Sequence, residues 1–185
     1  TDIYQHLCLH NEREVQKMSK KYQIDTVENK AFLEDVRNTL FNFGHQFPSP
    51  GGGSYYLGDD GTPWKERNRE TWITSRMVHV YSMADFLGHE GSKELADAGL
   101  KGLTGELHDD VNGGWYAGLT ADGEILPNKQ CYAHAFVILA AASATIAERP
   151  GAKELLEEAL ALYDAKFWNE EEGLSCDTWN TEFTV

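Results

Sequence analysis

Three short segments rich in glycine and aromatic residues recur about every 60 residues along this chain, and that spacing constrains the fold more than any other feature. They are residues 51–61 (GGGSYYLGDDG), 113–123 (GGWYAGLTADG) and 173–179 (GLSCDTW). Each alternates aromatic or apolar residues around a turn such as Asp59-Asp60-Gly61 or Ala121-Asp122-Gly123, the pattern of a short β-hairpin. Helical stretches lie between them: Val27–Phe43 before the first, 67–87 and 92–107 between the first and second, and 129–148 and 152–167 between the second and third. Glycines at 88 and 91 and the Pro150-Gly151 step separate the two helices of each pair. A repeated unit of one hairpin and two helices predicts an all-α architecture of helix pairs curling toward a ring, with one helix of each pair facing the axis and the other facing solvent. Residues 152–167 carry a charged face of Lys153, Glu154, Glu157, Glu158 and Asp164, as an outer helix needs, whereas 129–148 carry almost no charge before Glu148 and hold alanines that permit close helix approach.

The inner helix of the earlier pair contains an arginine. Trp72, Arg76, Val80 and Met83 share one face, and Ile73, Met77, Tyr81 and Ala84 form a neighbouring apolar stripe. A helix apolar around most of its circumference is expected to be buried. A guanidinium there keeps its charge and needs an anion, a carboxylate or a polar cavity, so Arg76 is either half of a buried ion pair or a ligand-binding group on a pocket floor. His79 lies one turn on and is either a packed helix residue or a neighbour of Arg76 in the pocket. Tyr132 and His134 are two apart, so on one regular helix they point in nearly opposite directions unless the helix begins between them. His134 is therefore either a buried imidazole tied to a carbonyl or a pocket residue. Trp72 is a core residue or a pocket wall, and Tyr56 and Trp115, in the hairpin segments, are candidate rim residues.

Charge and cysteine content exclude other classes. A formal net charge of −14 argues against nucleic acid and anionic membrane surfaces. There is no apolar run of membrane-spanning length, and the N-terminus has no basic-then-apolar leader pattern. Cys8, Cys131 and Cys176 form no disulfide framework and suit a reducing cytoplasm. His6 and His10, flanking Cys8, have a spacing that could hold a metal on one helix face, but no further ligands lie nearby, so no metal site is expected. The absence of an initiator methionine suggests a processed chain or a fragment.

The blocks Trp72-Ile-Thr-Ser-Arg-Met-Val-His-Val-Tyr-Ser, Gly113-Gly-Trp-Tyr-Ala and 129–144 (KQCYAHAFVILAAASA), in this order and at these separations, resemble the N-acylglucosamine 2-epimerase superfamily, closest to its mannose isomerase and sulfoquinovose isomerase branch. The resemblance runs from about Asn38 to Phe183. It implies an (α/α)6 barrel, of which these helices supply about half, with residues 1–24 as an extension and 25–185 as the front half of one catalytic domain. It implies a small-molecule sugar substrate, no metal or cofactor, and interconversion of an aldose and a ketose of the mannose/fructose type through a cis-enediol. A 2-epimerase acting on N-acylglucosamine or a cellobiose-type sugar is the alternative, and a non-catalytic sugar-binding half-barrel is the reading from another class. Arg76 and Tyr132 match substrate-binding positions. The acid–base histidines of the resemblance fall beyond residue 185, so this chain alone is expected to be inactive, and its open apolar edge favours association, including a homo-oligomer.

Overall fold

The structure is a computed structural model that describes residues 20–184, so the His6, Cys8 and His10 spacing lies outside the described residues. The chain divides into two compact units, Thr1–Asn42 and Phe43–Val185. Helix α1 (Val27–Phe43) makes up most of the described part of the first unit. Thr26 starts it, its hydroxyl accepting the Asn29 backbone N–H at 3.1 Å, which satisfies one of the free donors of the first turn.

The second unit is built from two helix pairs. Helices α2 (Thr71–Phe86) and α3 (Ser92–Leu103) form the first, and α4 (Cys131–Ile146) and α5 (Ala152–Leu162) the second. α5 runs on into a π-helical turn, Tyr163–Phe167. α2 packs on both α3 and α4, and α4 on α5, so α2 and α4 are the inner neighbours. Their shared core contains Val78, Leu100, Leu103, Leu107, Val137, Ala140, Ala141, Ala144, Leu155 and Ala159. Small residues let the helices approach: a Cβ on Gly99 of α3 would stand 2.5 Å from the Val78 side chain of α2. Each pair is joined by a link with two left-handed residues, Gly88 and Gly91 in the first and Glu148 and Gly151 in the second.

Among the described residues nine short strands decorate these helices: β1 (Tyr56–Leu57), β2 (Pro63–Trp64), β3 (Arg69–Glu70), β4 (Gly118–Leu119), β5 (Ile125–Leu126), β6 (Asn128–Gln130), β7 (Trp168–Asn169), β8 (Leu174–Ser175) and β9 (Thr178–Asn180). β1–β2 and β4–β5 are the expected hairpins. The third differs: β7 pairs with β8 around the turn 170–173, so Gly173 ends that turn rather than opening a hairpin, and Thr178–Asn180 joins another sheet.

The pairings between successive units show the repeat directly. Arg69 and Glu70 of β3 face Leu119 and Gly118 of β4, and sixty residues later Lys129 and Gln130 of β6 face Trp179 and Thr178 of β9. Phe47, Leu107 and Phe167 occupy one recurring position, and all three are buried. Asp109 Oδ1 accepts the N–H groups of Val111 and Asn112, as Asn169 Oδ1 accepts those of Glu171 and Glu172. The strands β3 and β6 correct the expected helix limits: residues 67 and 129 lie before helices that begin at Thr71 and Cys131. Gly118 permits the β3–β4 pairing, because a Cβ there would stand 2.6 Å from the Arg69 carbonyl oxygen. Gly118→Ala is expected to cost about 1–3 kcal/mol in urea unfolding through this overpacking.

The inner helices are not buried all round. α2 exposes Arg76, Met83 and Phe86, and α4 exposes Tyr132, Leu139 and Ile146. The expectation of a wholly buried α2 therefore fails on one face, which no described element of this unit covers. Among the described residues no helix is long and apolar enough to cross a membrane, and no group of three or more His, Cys, Asp or Glu side chains is arranged to hold a metal.

Candidate functional site

The repeat builds a cluster from equivalent positions on the two inner helices. Trp72 and Arg76 of α2 correspond, sixty residues on, to Tyr132 and Phe136 of α4. The Arg76 guanidinium carbon stands 4.7 Å from the centre of the Trp72 ring and 4.6 Å from that of Phe136, a cation held between two π faces. Arg76 Nη2 donates to the Tyr132 hydroxyl at 3.1 Å. The Tyr132 ring meets Phe136 edge-on at 4.9 Å and Trp72 at 5.9 Å. Tyr56, on β1, meets Trp72 edge-on at 6.4 Å.

No described carboxylate forms an ion pair with Arg76, which removes the buried Arg–carboxylate reading. Its exposed fork retains N–H donors beyond the one given to Tyr132, enough to bind two vicinal oxygens. Tyr132 accepts from Arg76, so its own proton remains available to a ligand hydroxyl. Trp72, Tyr132 and Phe136 add apolar surface of the kind that packs against the C–H face of a small polar ring. The arrangement can bind a polyhydroxy compound and stabilise negative charge developing on adjacent oxygens.

The other candidates lie elsewhere. His79 Nδ1 is 2.6 Å from Ser143 Oγ, and that hydroxyl donates onward to Leu139 O, so the imidazole N–H is the donor in a tie between α2 and α4. His134 is fully buried: Nδ1 donates to Gln130 O at 2.8 Å, and Nε2 accepts the Trp115 backbone N–H at 3.2 Å. With both nitrogens committed it is a fixed neutral imidazole, and it does not join Tyr132. Trp115 precedes its hairpin, is fully buried, and donates Nε1–H to Leu103 O at 2.7 Å, so it is a core residue and not a rim residue. A separate concavity of about 680 Å3, lined in part by Lys166, Trp168, Cys176 and Trp179, includes none of the residues around Arg76. Phe136 and Glu70 were not singled out in the sequence. The sixty-residue offset from Arg76 would have found Phe136.

The two histidines against Trp115 titrate in opposite senses. Burial pushes the His134 imidazolium down to about 4 from 6.5. The unfolded chain therefore takes up this proton first as pH falls. Stability present above pH 6.5 is lost between 6.5 and about 4. Its contribution over that window is about 3 kcal/mol. Burial also disfavours the His108 cation, but Asp110 and Glu158, each 2.7 Å from a ring nitrogen, outweigh it and raise its pKa. Its contribution is present below 6.5 and lost as pH rises through the raised value. Urea unfolding across the acid window should give a flatter profile for His134→Gln than for the native sequence.

D-mannose isomerase from Thermobifida fusca is 40% identical over 153 residues, covering 82% of this chain and 38% of that protein. The crystal structure of a D-mannose isomerase superposes with a TM-score of 0.76 at 25% identity, covering 84% of this chain and 42% of the other. Cellobiose 2-epimerase from Bacillus thermoamylovorans superposes with a TM-score of 0.74 at 22% identity over 84% and 42% of the two chains, which shows a shared fold. This chain thus spans less than half the length of the relatives it matches. Residues 52–185 match the N-acylglucosamine 2-epimerase (GlcNAc 2-epimerase) family, and the chain belongs to that family.

Proposed function

We propose that this chain supplies the substrate-binding arginine of a cofactor-independent sugar isomerase built on an (α/α)6 barrel, interconverting an aldose and a ketose of the mannose/fructose type. The observation that carries the reading is Arg76, exposed and paired with no described carboxylate, between the Trp72 and Phe136 rings and bonded to Tyr132. The similarity to D-mannose isomerase at 40% identity supports the aldose–ketose direction.

In this mechanism the sugar ring opens and a base removes the proton from C2. The C–H electron pair forms the C1=C2 bond, and O1 takes a proton to complete the cis-enediol. A proton is then delivered to C1 while O2 loses its own, leaving a carbonyl at C2. Arg76 beside O1 and O2 stabilises the charge that develops there, and Tyr132 orients a hydroxyl. His134 is buried and neutral and His79 is tied to Ser143, so the proton carriers are assigned to residues other than these two.

Incubating the protein expressed from its complete coding sequence with mannose and separating the products tests the reading. Fructose supports it. Glucose as the sole product would replace it with 2-epimerisation, and binding without conversion would favour a sugar-binding module. A polypeptide of these residues alone is expected to convert nothing.

A further inference from the structure

We propose that Glu70 is a positioning residue for the sugar site, holding the Trp72 indole plane under the Arg76 guanidinium. The inference rests on the function proposed above for that site.

Glu70 is the last residue of β3 and sits in extended conformation immediately before α2, with φ −94° and ψ 141°. Its backbone is fixed by pairing with Gly118, where a side chain would stand 3.0 Å from the Glu70 Cα. One carboxylate oxygen, Oε2, accepts two bonds: from Trp72 Nε1 at 3.0 Å and from the Tyr56 hydroxyl. A single anchor thus ties the β1–β2 hairpin to the first turn of α2. An indole attached only through its two side-chain torsions can swing, whereas one bonded at Nε1 and braced edge-on by Tyr56 at 6.4 Å cannot. The plane so fixed is the one that lies 4.7 Å from the Arg76 guanidinium.

The geometry explains why Glu70, which contacts the same indole as Arg76, does not neutralise it. The Glu70 carboxylate accepts from the Trp72 indole N–H and the Tyr56 hydroxyl, and Arg76 donates instead to Tyr132. Burial and the bond to Glu70 also hold the Tyr56 hydroxyl protonated, well above its usual range, so it stays a donor at any working pH.

The test uses the protein from its complete coding sequence, labelled with 5-fluorotryptophan, with the Trp72 resonance assigned by its loss in Trp72→Phe. In Glu70→Ala the Trp72 resonance should shift and broaden, and kcat/KM on mannose should fall about tenfold or more. Glu70→Gln still accepts through its amide oxygen and should stay within about threefold of the native value. Glu70→Asp keeps the charge but shortens the reach. It should behave like the alanine variant and replaces it if Glu70→Ala does not fold. A Trp72 resonance unchanged in both Glu70→Ala and Glu70→Asp would overturn the proposal, as would loss of thermal stability with kcat/KM per folded molecule intact. If the native protein converts no sugar, the functional reading fails by itself, and the fluorine spectra still decide whether Glu70 holds Trp72.

Discussion

Arg76→Ala in the complete protein is expected to lower kcat on mannose by about 10²–10³-fold, the loss that follows removal of one preorganised donor to a developing oxyanion. Stability should scarcely change. The side chain is exposed, no described carboxylate pairs with it, and its contacts are two ring faces and one hydroxyl. Exposed contacts of this kind contribute about 0.5–1 kcal/mol, too little to unfold the chain. Arg76→Lys should restore little of the rate, because an ammonium cannot present a planar fork to two vicinal oxygens. Steady-state kinetics beside a thermal melt separate the outcomes. Near-native turnover with a lowered melting temperature would make Arg76 a structural residue.

The largest expected loss of stability lies elsewhere, at the ion pair of Asp109 and Lys129. Both side chains are buried, with Lys129 Nζ 2.7 Å from Asp109 Oδ2. Burial by itself would raise the Asp109 carboxyl. Bonds from Lys129 and Asn112 and from the backbone N–H groups of Asn112 and Val111 outweigh it and hold the group well below its ordinary 3.8. Lys129 also donates to Gly113 O, so the pair fastens the 109–113 turn beneath the first turn of α4. Asp109→Ala leaves an ammonium buried without its partner and should cost about 3–5 kcal/mol in urea unfolding. Adding Lys129→Met should recover much of that loss, because the uncompensated charge is gone. The sign with pH follows from the depressed carboxyl: its contribution is present above 3.8 and lost as pH falls through the lower native value. An Asp109→Ala variant as stable as the native chain would show that the pair contributes nothing net.

The repeat was legible because glycine turns punctuate it at a fixed interval, and helices α1, α2, α4 and α5 emerged near their observed places. Strands β3 and β6 were not legible. Arg69-Glu70-Thr71 and Lys129-Gln130-Cys131 run from strand into helix with no glycine or proline between them, and the strands exist only because the next unit pairs with them. For the same reason Lys129 read as the start of a helix, although its partner Asp109 lies in the preceding turn. Residues two apart on a helix point to nearly opposite faces, and that argument separated His134, which is buried, from Tyr132, which is exposed. Trp115 was misplaced because its indole N–H finds Leu103 O in the core, a partner that no local pattern announces. Glu70 escaped notice because an acidic residue before a helix has an ordinary explanation as a favourable charge at the N-terminus. Its role depends on Trp72 and Tyr56 reaching the same oxygen.

The most direct test of the central claim is the proton NMR spectrum of mannose incubated with the complete protein in D2O. Aldose–ketose isomerisation through the enediol predicts fructose as the product, with solvent deuterium entering at C1. Mannose recovered unchanged, with neither product nor exchange at C2, would contradict it, as would glucose carrying deuterium at C2 with no fructose formed.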